Sequence, residues 1–272
     1  MTRDRKNLRD ARRALLEGIG VPEPQPFAPD EFQLAAIRSV EEGRDTLVIA
    51  PTGAGKTFIA IEGIRRAVSQ GKRAIYTAPL KALSNTKYAE MKQLFEPHYR
   101  VGLLTGDRKI ETDADIVVAT TEIYRNDLYN YGATYSVVIL DELHYLADPQ
   151  RGPVWEESII LSPKEATLLM LSASISNSAE IAAWIEQVRG APVEVIAEAT
   201  RPVELRMGFL HPDHGVLPLE GANGKVFGEV AQFYAQGGGG RGGFRARRGK
   251  GASPGRGGRS GRGRRRKSRS GS

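Results

Sequence analysis

The chain has 272 residues, with 39 Lys or Arg against 32 Asp or Glu, a formal charge of +7, and no cysteine. That length suits one sizeable α/β domain with extensions, and the missing cysteines exclude disulfides, thiolate chemistry and cysteine-based zinc sites. No apolar run reaches the length of a membrane span and no apolar signal segment follows the charged N-terminus, so a cytoplasmic protein without a membrane partner is expected.

In chain order, residues 3–17 place Leu8, Ala11, Leu15 and Leu16 on one face of a short helix, ended by Gly18 and Gly20. The proline-rich stretch 21–29 reads as extended. Asp30 is suited to cap a helix over 31–42, which Gly43 stops. A strand over 46–49 then runs into Ala50-Pro51-Thr52-Gly53-Ala54-Gly55-Lys56-Thr57, followed by a helix to about residue 70. A second strand over 73–77 precedes Pro79 and a helix across 80–95. Apolar runs at 101–104 and 116–119 read as strands, the latter feeding a helix over 122–128. The run 136–140 is a strongly apolar strand ending at Asp141, and 167–171 is another, feeding a helix over 179–188. Further strands are expected at 193–196 and 203–209, and a short helix at 226–235.

From Gly237 onward, 14 glycines and 11 arginines share 36 positions with one aromatic, Phe244, which cannot bury a core, so disorder is expected. This tail also divides the charge. It holds 11 Arg and 2 Lys with no acid, which leaves 26 basic residues against all 32 acids, a net −6, before it. A charge-based affinity for nucleic acid therefore belongs to the tail. Arg241, Arg245, Arg247 and Arg248 are its first candidate contacts.

Short, continuously apolar strands alternating with helices predict an α/β fold whose mainly parallel sheet is covered on both faces. In such sheets ligands sit beyond the carboxyl ends of the strands, where Ala50, Pro79, Thr120, Asp141 and Ser172 all fall. The glycine-rich turn between a strand and a helix has the context of a phosphate-binding loop. Gly53 and Gly55 let successive N–H groups point inward, the helix starting near Lys56 adds its positive end, and the Lys56 ammonium reaches the β/γ-phosphates. Thr52 and Ala54 complete the cradle, and Thr57 supplies a hydroxyl for Mg²⁺. Ala50 stands where the usual pattern has a first glycine, and alanine still permits a tight turn. Asp141 and Glu142, taken alone, read as a polar turn. Downstream of a phosphate loop, Asp141 reads as a Mg²⁺ ligand, through water or directly, and Glu142 as the base that polarises the attacking water. His144 reads either as a structural histidine or as an interface residue signalling nucleotide state.

These residues resemble the ATP-binding half of superfamily 2 DExH helicases, and within them the RNA helicases that serve the exosome and their bacterial relatives. The stretch Asp141-Glu142-Leu143-His144-Tyr145-Leu146, with Asp148, Arg151-Gly152 and Trp155-Glu156-Glu157, is similar to that branch's long motif II. Residues 50–57 match its motif I, including the leading alanine. Pro79-Leu80-Lys81-Ala82-Leu83-Ser84-Asn85 resembles motif Ia, and Thr105-Gly106-Asp107 and Ala119-Thr120-Thr121-Glu122 resemble further motifs facing nucleic acid. Leu171-Ser172-Ala173-Ser174 matches motif III, with Ser174 in place of the usual threonine.

The resemblance implies a single RecA-like phosphate-loop domain over 24–215, after an N-terminal extension (1–23) and before a poorly defined segment (216–236) and the tail (237–272). It implies ATP and Mg²⁺ as cofactors. Gln33 would read the adenine edge and Phe27 would pack beside the base. Lys81, Asn85, Thr105, Gly106 and Thr120 would face the phosphates of nucleic acid, RNA or DNA, with RNA the partner this branch points to; unaided, Lys81 reads as a solvated helix residue. Ser172 and Ser174 would connect the γ-phosphate site to that face, and Trp155 would pack rather than stack on a base. Such helicases use a second RecA-like domain that completes the ATP site with arginines, and no second motif set is found in these 272 residues. Three expectations follow: an ATPase domain incomplete as a helicase unless a partner supplies the second domain, a nucleic-acid-binding protein acting through its tail, or a truncated product without independent activity.

Overall fold

Strands without a polar face need helices on both sides, and this arrangement is present. The computed structural model describes residues 2–17, 28–130, 134–201, 205–221 and 224–235. The chain forms two compact units, Gly20–Leu205 and the pairing of Met1–Ile19 with Arg206–Ser272.

The first helix, α1 (Thr2–Leu16), belongs to the smaller unit. The larger unit begins with α2 (Glu31–Glu41), whose start is closed by the Asp30 N–H donating to Gln33 Oε1 at 2.9 Å. Its order then runs β1 (Asp45–Ile49), α3 (Lys56–Ser69), β2 (Ala74–Ala78), α4 (Lys81–Phe95), β3 (Val101–Leu104), β4 (Lys109–Ile110), β5 (Ile116–Thr120) and α5 (Thr121–Tyr129). It continues through β6 (Val137–Leu140), a 3₁₀ turn (Leu143–Ala147), α6 (Gly152–Leu161), β7 (Thr167–Ser172), α7 (Ser178–Arg189) and β8 (Val193–Ala197). The eight strands form one sheet in the order β4-β3-β5-β2-β6-β7-β1-β8, parallel throughout except for β4.

Side chains alternate between the two faces along each strand. Val48, Tyr76, Ile139 and Leu169 pack on one face with Phe32, Ile59, Ile64, Met91 and Phe95 from α2, α3 and α4. Leu47, Ile75, Val138 and Met170 pack on the other with Tyr124, Trp155, Ile159 and Ile185 from α5, α6 and α7. The α/β class and the parallel sheet covered on both faces are thus observed. Beneath the amino ends of the strands lies a buried polar clasp. Arg189 Nε donates to Asp45 Oδ2 at 2.7 Å, and its remaining nitrogens donate to the carbonyls of Ser162, Pro163 and Ala166. Asp45 Oδ1 accepts from the Leu168 N–H at 2.7 Å, which locks the start of β1 to the start of β7.

In the smaller unit, β9 (Gly208–His211) and β10 (Gly215–Pro218) form an antiparallel hairpin followed by α8 (Gly228–Ala235). The Arg206 guanidinium donates to the carbonyls of Ala14, Leu15 and Glu17, occupying acceptors that the end of α1 leaves unpaired. Phe209, Phe233 and Tyr234 pack together, with ring centroids 5.4–5.7 Å apart.

Several elements differ from the sequence reading, among them β10 (Gly215–Pro218) and the 3₁₀ turn (Leu143–Ala147), neither of which was assigned. The strand expected over 203–209 instead begins at Gly208 and pairs in the hairpin, outside the large sheet. Helix α6, unassigned from sequence, starts with Pro153 in its first turn and buries Trp155 and Ile159. The two-residue β4 also went unassigned, being too short to carry a periodicity. The glycine–arginine tail lies outside the described residues. Among those that are described, no helix is long and apolar enough to cross a membrane.

Candidate functional site

Strand β1 delivers the chain to Ala50, whose N–H donates to the Ser172 carbonyl at the end of β7, at 3.0 Å. The loop then turns through Gly53 (φ +90°) and Gly55 (φ +78°), and Gly55 becomes the N-cap of α3. Both angles are left-handed values that side chains resist. At Gly55 space is also decisive, because a Cβ there would lie 2.4 Å from Gln33 Nε2. A Cβ on Gly53 would meet nothing within 4 Å, so there the left-handed angle and not space calls for glycine. Thr52 and Gly53 are exposed, Ala54 is buried, and Lys56 and Thr57 occupy the first turn of α3. Lys56 Nζ donates to the carbonyls of Ala50 (2.6 Å) and Pro51 (3.1 Å). Burial lowers its pKa from the usual lysine value, while Glu142 and Asp141 pull it back up.

Opposite the loop, β6 ends in Asp141 and Glu142. The Tyr76 hydroxyl, on neighbouring β2, donates to Asp141 Oδ2 at 2.5 Å, and the Glu142 N–H donates to Asp141 Oδ1 at 2.9 Å. Burial, reinforced by Asp141, raises the Tyr76 pKa well above the usual tyrosine value, so this hydroxyl remains a donor. Glu142 takes a left-handed backbone (φ 55°, ψ 47°), a conformation costing a non-glycine residue about 1–2 kcal/mol and concentrated at functional sites. Its Oε2 lies 3.2 Å from His144 Nδ1. Behind the turn, the rings of His144, Tyr145 and Trp155 stack in succession, with centroids 4.9 and 5.4 Å apart. The buried Trp155 indole N–H points at the Asp141 carbonyl at 3.4 Å, so this tryptophan is a packing residue under the turn.

Gln33 is also drawn to this site. Its Nε2 donates to the Ala54 carbonyl at 3.0 Å while its Oε1 caps α2, so one buried amide ties that helix to the phosphate loop. Ser172 is fully buried, and its hydroxyl has no hydrogen-bond partner among the described residues; Ser174 is exposed. The strands β6, β7 and β1 are neighbours. Asp141, Ser172 and the phosphate loop therefore sit side by side at their carboxyl ends.

The ends of β3, β5 and β2 form a second group. Lys81 Nζ pairs with Asp107 Oδ1 at 3.1 Å, and Thr105 Oγ1 donates to the same oxygen at 3.0 Å. These two contacts hold the Asp107 carboxyl below its usual pKa. Arg108 donates to Asn85 Oδ1 at 2.9 Å, and Gly106 lies beside the Lys81 stem. Thr120 caps α5 at the end of β5, and Ser84 Oγ donates to the Ala119 carbonyl at 3.2 Å. Contacts thus link Lys81, Thr105 and Gly106, and Asn85 to Arg108, into one ledge, with Thr120 at the neighbouring end of β5. The side chains of Thr105 and Thr120 are buried, which leaves Lys81, Asn85 and Gly106 as its accessible members. Phe27, Arg241, Arg245, Arg247 and Arg248 lie outside the described residues.

This order of phosphate loop, acidic strand end and serine strand end can be set against known proteins. The family model for DEAD/DEAH box helicases matches residues 30–181. The chain belongs to the DEAD/DEAH box helicase family. It is a RecA-like ATP-binding domain of superfamily 2, related to several RNA helicases. This helicase domain is 45% identical over 202 residues to the DExH-box ATP-dependent RNA helicase DExH15 of Arabidopsis thaliana, covering 71% of the chain and 17% of that protein. It is 43% identical over 183 residues to the probable helicase HelY of Mycobacterium leprae (66% and 20%), and 42% identical over 184 residues to the ATP-dependent RNA helicase mtr4 of Schizosaccharomyces pombe (66% and 16%). The chain therefore spans about a fifth or less of the length of these curated relatives. It shares its fold with the crystal structure of the DUF1998 helicase MrfA bound to DNA, with a TM-score of 0.53 at 19% identity, over 68% of this chain and 29% of that one.

Two residues of the site escaped the sequence reading, Tyr76 and Lys87. A hydroxyl inside an otherwise apolar strand was the available signal for Tyr76. Lys87 Nζ donates to Thr57 Oγ1 at 3.1 Å, a contact between distant segments that no local pattern announces.

Proposed function

We propose that the helicase domain binds ATP with Mg²⁺, hydrolyses it, and couples the cycle to RNA held along the ledge of Lys81, Asn85, Thr105, Gly106 and Thr120. The placement of the glycine-rich loop after β1 and of Asp141 and Glu142 after β6, at the same end of the sheet with only β7 between them, carries this reading. The donor set suits the cofactor: the Thr57 hydroxyl and the Asp141 carboxylate are hard oxygen ligands of the kind Mg²⁺ takes. When bound, the metal neutralises charge on the β- and γ-phosphate oxygens. Lys56 turns from its two carbonyls to the phosphates, Asp141 is held in orientation by Tyr76 and the Glu142 N–H, and Glu142 accepts the proton of the attacking water. The ledge groups are hydroxyls, an ammonium and backbone N–H, which suits phosphate contact without sequence readout.

The motif set favours the exosome-associated branch among RNA helicases. On its own, this 272-residue chain is proposed to be incomplete as a helicase, because the arginines that stabilise the transferring phosphoryl group come from a second RecA-like domain; such arginines are worth roughly 10³–10⁵ in rate. A partner polypeptide or further chain would provide that domain. RNA-stimulated ATP turnover by the purified chain tests the reading. Glu142→Gln should lower turnover by about 10²–10⁴ while leaving nucleotide binding intact. Turnover equal to wild type would remove Glu142 from the reaction.

A second reading is favoured by the charge division: 13 positive side chains without an acid in the tail, against a net −6 before it. Here the tail supplies most of the RNA affinity, and the helicase domain adds nucleotide-dependent contacts.

A further inference from the structure

Lys87 projects from α4 into the nucleotide site, and none of the motif roles uses it. Its Nζ lies 3.1 Å from Thr57 Oγ1, 2.9 Å from Glu90 Oε2 and 5.8 Å from the centre of the Tyr76 ring. The Tyr76 hydroxyl in turn donates to Asp141 Oδ2 at 2.5 Å. The ammonium therefore occupies the Thr57 hydroxyl, one of the two oxygen groups that suit the metal, and lies over the ring of the tyrosine that holds the other, Asp141. Its side chain is 20% exposed, so water screens the charge only in part.

We propose that Lys87 competes with Mg²⁺ for the Thr57 hydroxyl, and so sets the magnesium concentration at which the domain takes up nucleotide. The inference rests on the reading of this site as one for Mg-nucleotide. A Mg²⁺ ion takes oxygen ligands at about 2.1 Å. Held by Thr57 Oγ1, it would lie within roughly 5 Å of an ammonium on the same oxygen, and the two like charges repel strongly across a half-buried gap. The two cannot share the hydroxyl at ease. Glu90 offers the displaced ammonium an alternative partner it already touches, so the exchange requires a rotation of one side chain and no backbone movement. The Tyr76 ring face gives the cation a further contact on the side of Asp141.

The test is ADP binding to the full chain by calorimetry, with free Mg²⁺ titrated from chelator control to saturation. Lys87→Met should lower the half-saturating Mg²⁺ concentration by about 3- to 10-fold, the net scale of one hydrogen bond, because the ammonium keeps Glu90 as a partner when it leaves Thr57. The charge-conserving pair Lys87→Met/Glu90→Gln should retain a fall, which separates occupation of Thr57 from a mere change in net charge. A half-saturating Mg²⁺ concentration that is unchanged or raised in Lys87→Met overturns the proposal, as does a fall that vanishes in the pair. Those results leave the nucleotide site standing if wild type binds ADP. Failure of wild type to bind ADP at any Mg²⁺ concentration overturns the proposed function and this inference with it.

Discussion

Replacing Arg189 with methionine would open the clasp beneath the sheet and leave Asp45 buried without its counter-charge. The side chains of Arg189 and Asp45 are only 2% and 6% exposed, so neither group can turn to solvent. Removing one member of a buried, hydrogen-bonded ion pair costs about 3–5 kcal/mol, because the remaining charge keeps its desolvation penalty. The Ser162, Pro163 and Ala166 carbonyls also lose their donors. Methionine restores most of the apolar volume of the arginine stem, so little of the loss is a cavity effect. Against a domain stability of about 5–15 kcal/mol, this is about a fifth of the total or more. With a urea slope near 2 kcal/mol per M, the midpoint should fall by about 1.5–2.5 M. The buried Trp155 lies in the same unit and makes its fluorescence a suitable probe. Adding Asp45→Asn removes the orphaned charge but keeps an acceptor for the Leu168 N–H, so the double variant should regain part of the loss. A midpoint shift below about 0.5 M with an unchanged slope would show that the clasp is not what holds β1 and β7 in register.

Gly55→Ala should destabilise the domain by about 1–2 kcal/mol, through its left-handed angle alone, and displace Gln33 from the Ala54 carbonyl; thermal melting and ADP titration together check it. Lys56→Ala should weaken Mg-ATP binding about 10- to 100-fold, the worth of a charge-assisted hydrogen bond, and equal affinities would place the phosphates elsewhere. The lowered Lys56 pKa also gives a pH signature. The folded protein releases this proton at a lower pH than the unfolded chain. Lys56 therefore lowers stability below that alkaline window, and the penalty is relieved as pH rises through it, whereas nucleotide affinity falls through the same window. Deleting residues 237–272 should lower affinity for an unstructured RNA at low salt and flatten its salt dependence, each phosphate contact being worth a slope of about 0.7 on a single strand. An unaltered slope would return RNA binding to the ledge.

The fold and the nucleotide half of the site were readable because their signals are local. An apolar strand, two glycines and a Lys-Thr pair occupy consecutive positions 47–57, and the acidic pair follows directly on another apolar strand. What escaped depends on contacts between distant segments. Tyr76 reaches Asp141 across 65 residues, and Asp45 meets Arg189 across 144. Neither residue carries a mark that names its partner: Tyr76 shows only a hydroxyl in a mostly apolar strand, and Arg189 reads as a basic residue ending a helix. The hairpin was misplaced for a related reason. The alternation of apolar and polar residues over 203–209 states a strand propensity but not its neighbour, and the partner of the strand that begins at Gly208 is β10 rather than the large sheet. Helix α6 was hidden because its first turn holds Gly152 and Pro153, which in sequence look like a break.

The site residues lie in two groups on one edge of the sheet, and α4 belongs to both. Lys81 and Asn85, in its first turns, stand with Thr105 and Gly106 on the ledge, whereas Lys87 touches Thr57 of the phosphate loop. Six residues of helix separate Lys81 from Lys87, about 9 Å of rise, too short to bend appreciably. The strand leading into α4 is β2, which lies between β5 on the ledge side and β6, whose end carries Asp141. Tyr76, on that same strand, holds the Asp141 carboxylate. On the proposed function, a displacement of α4 by a phosphate drawn to Lys81 would bear on Lys87, which touches Thr57 and lies over the Tyr76 ring. The serine strand provides a second link, since the Ser172 carbonyl accepts from Ala50 at the entrance of the loop. The proposed communication between nucleotide and nucleic acid on the ledge would thus need no long relay. One helix and one strand already touch both groups.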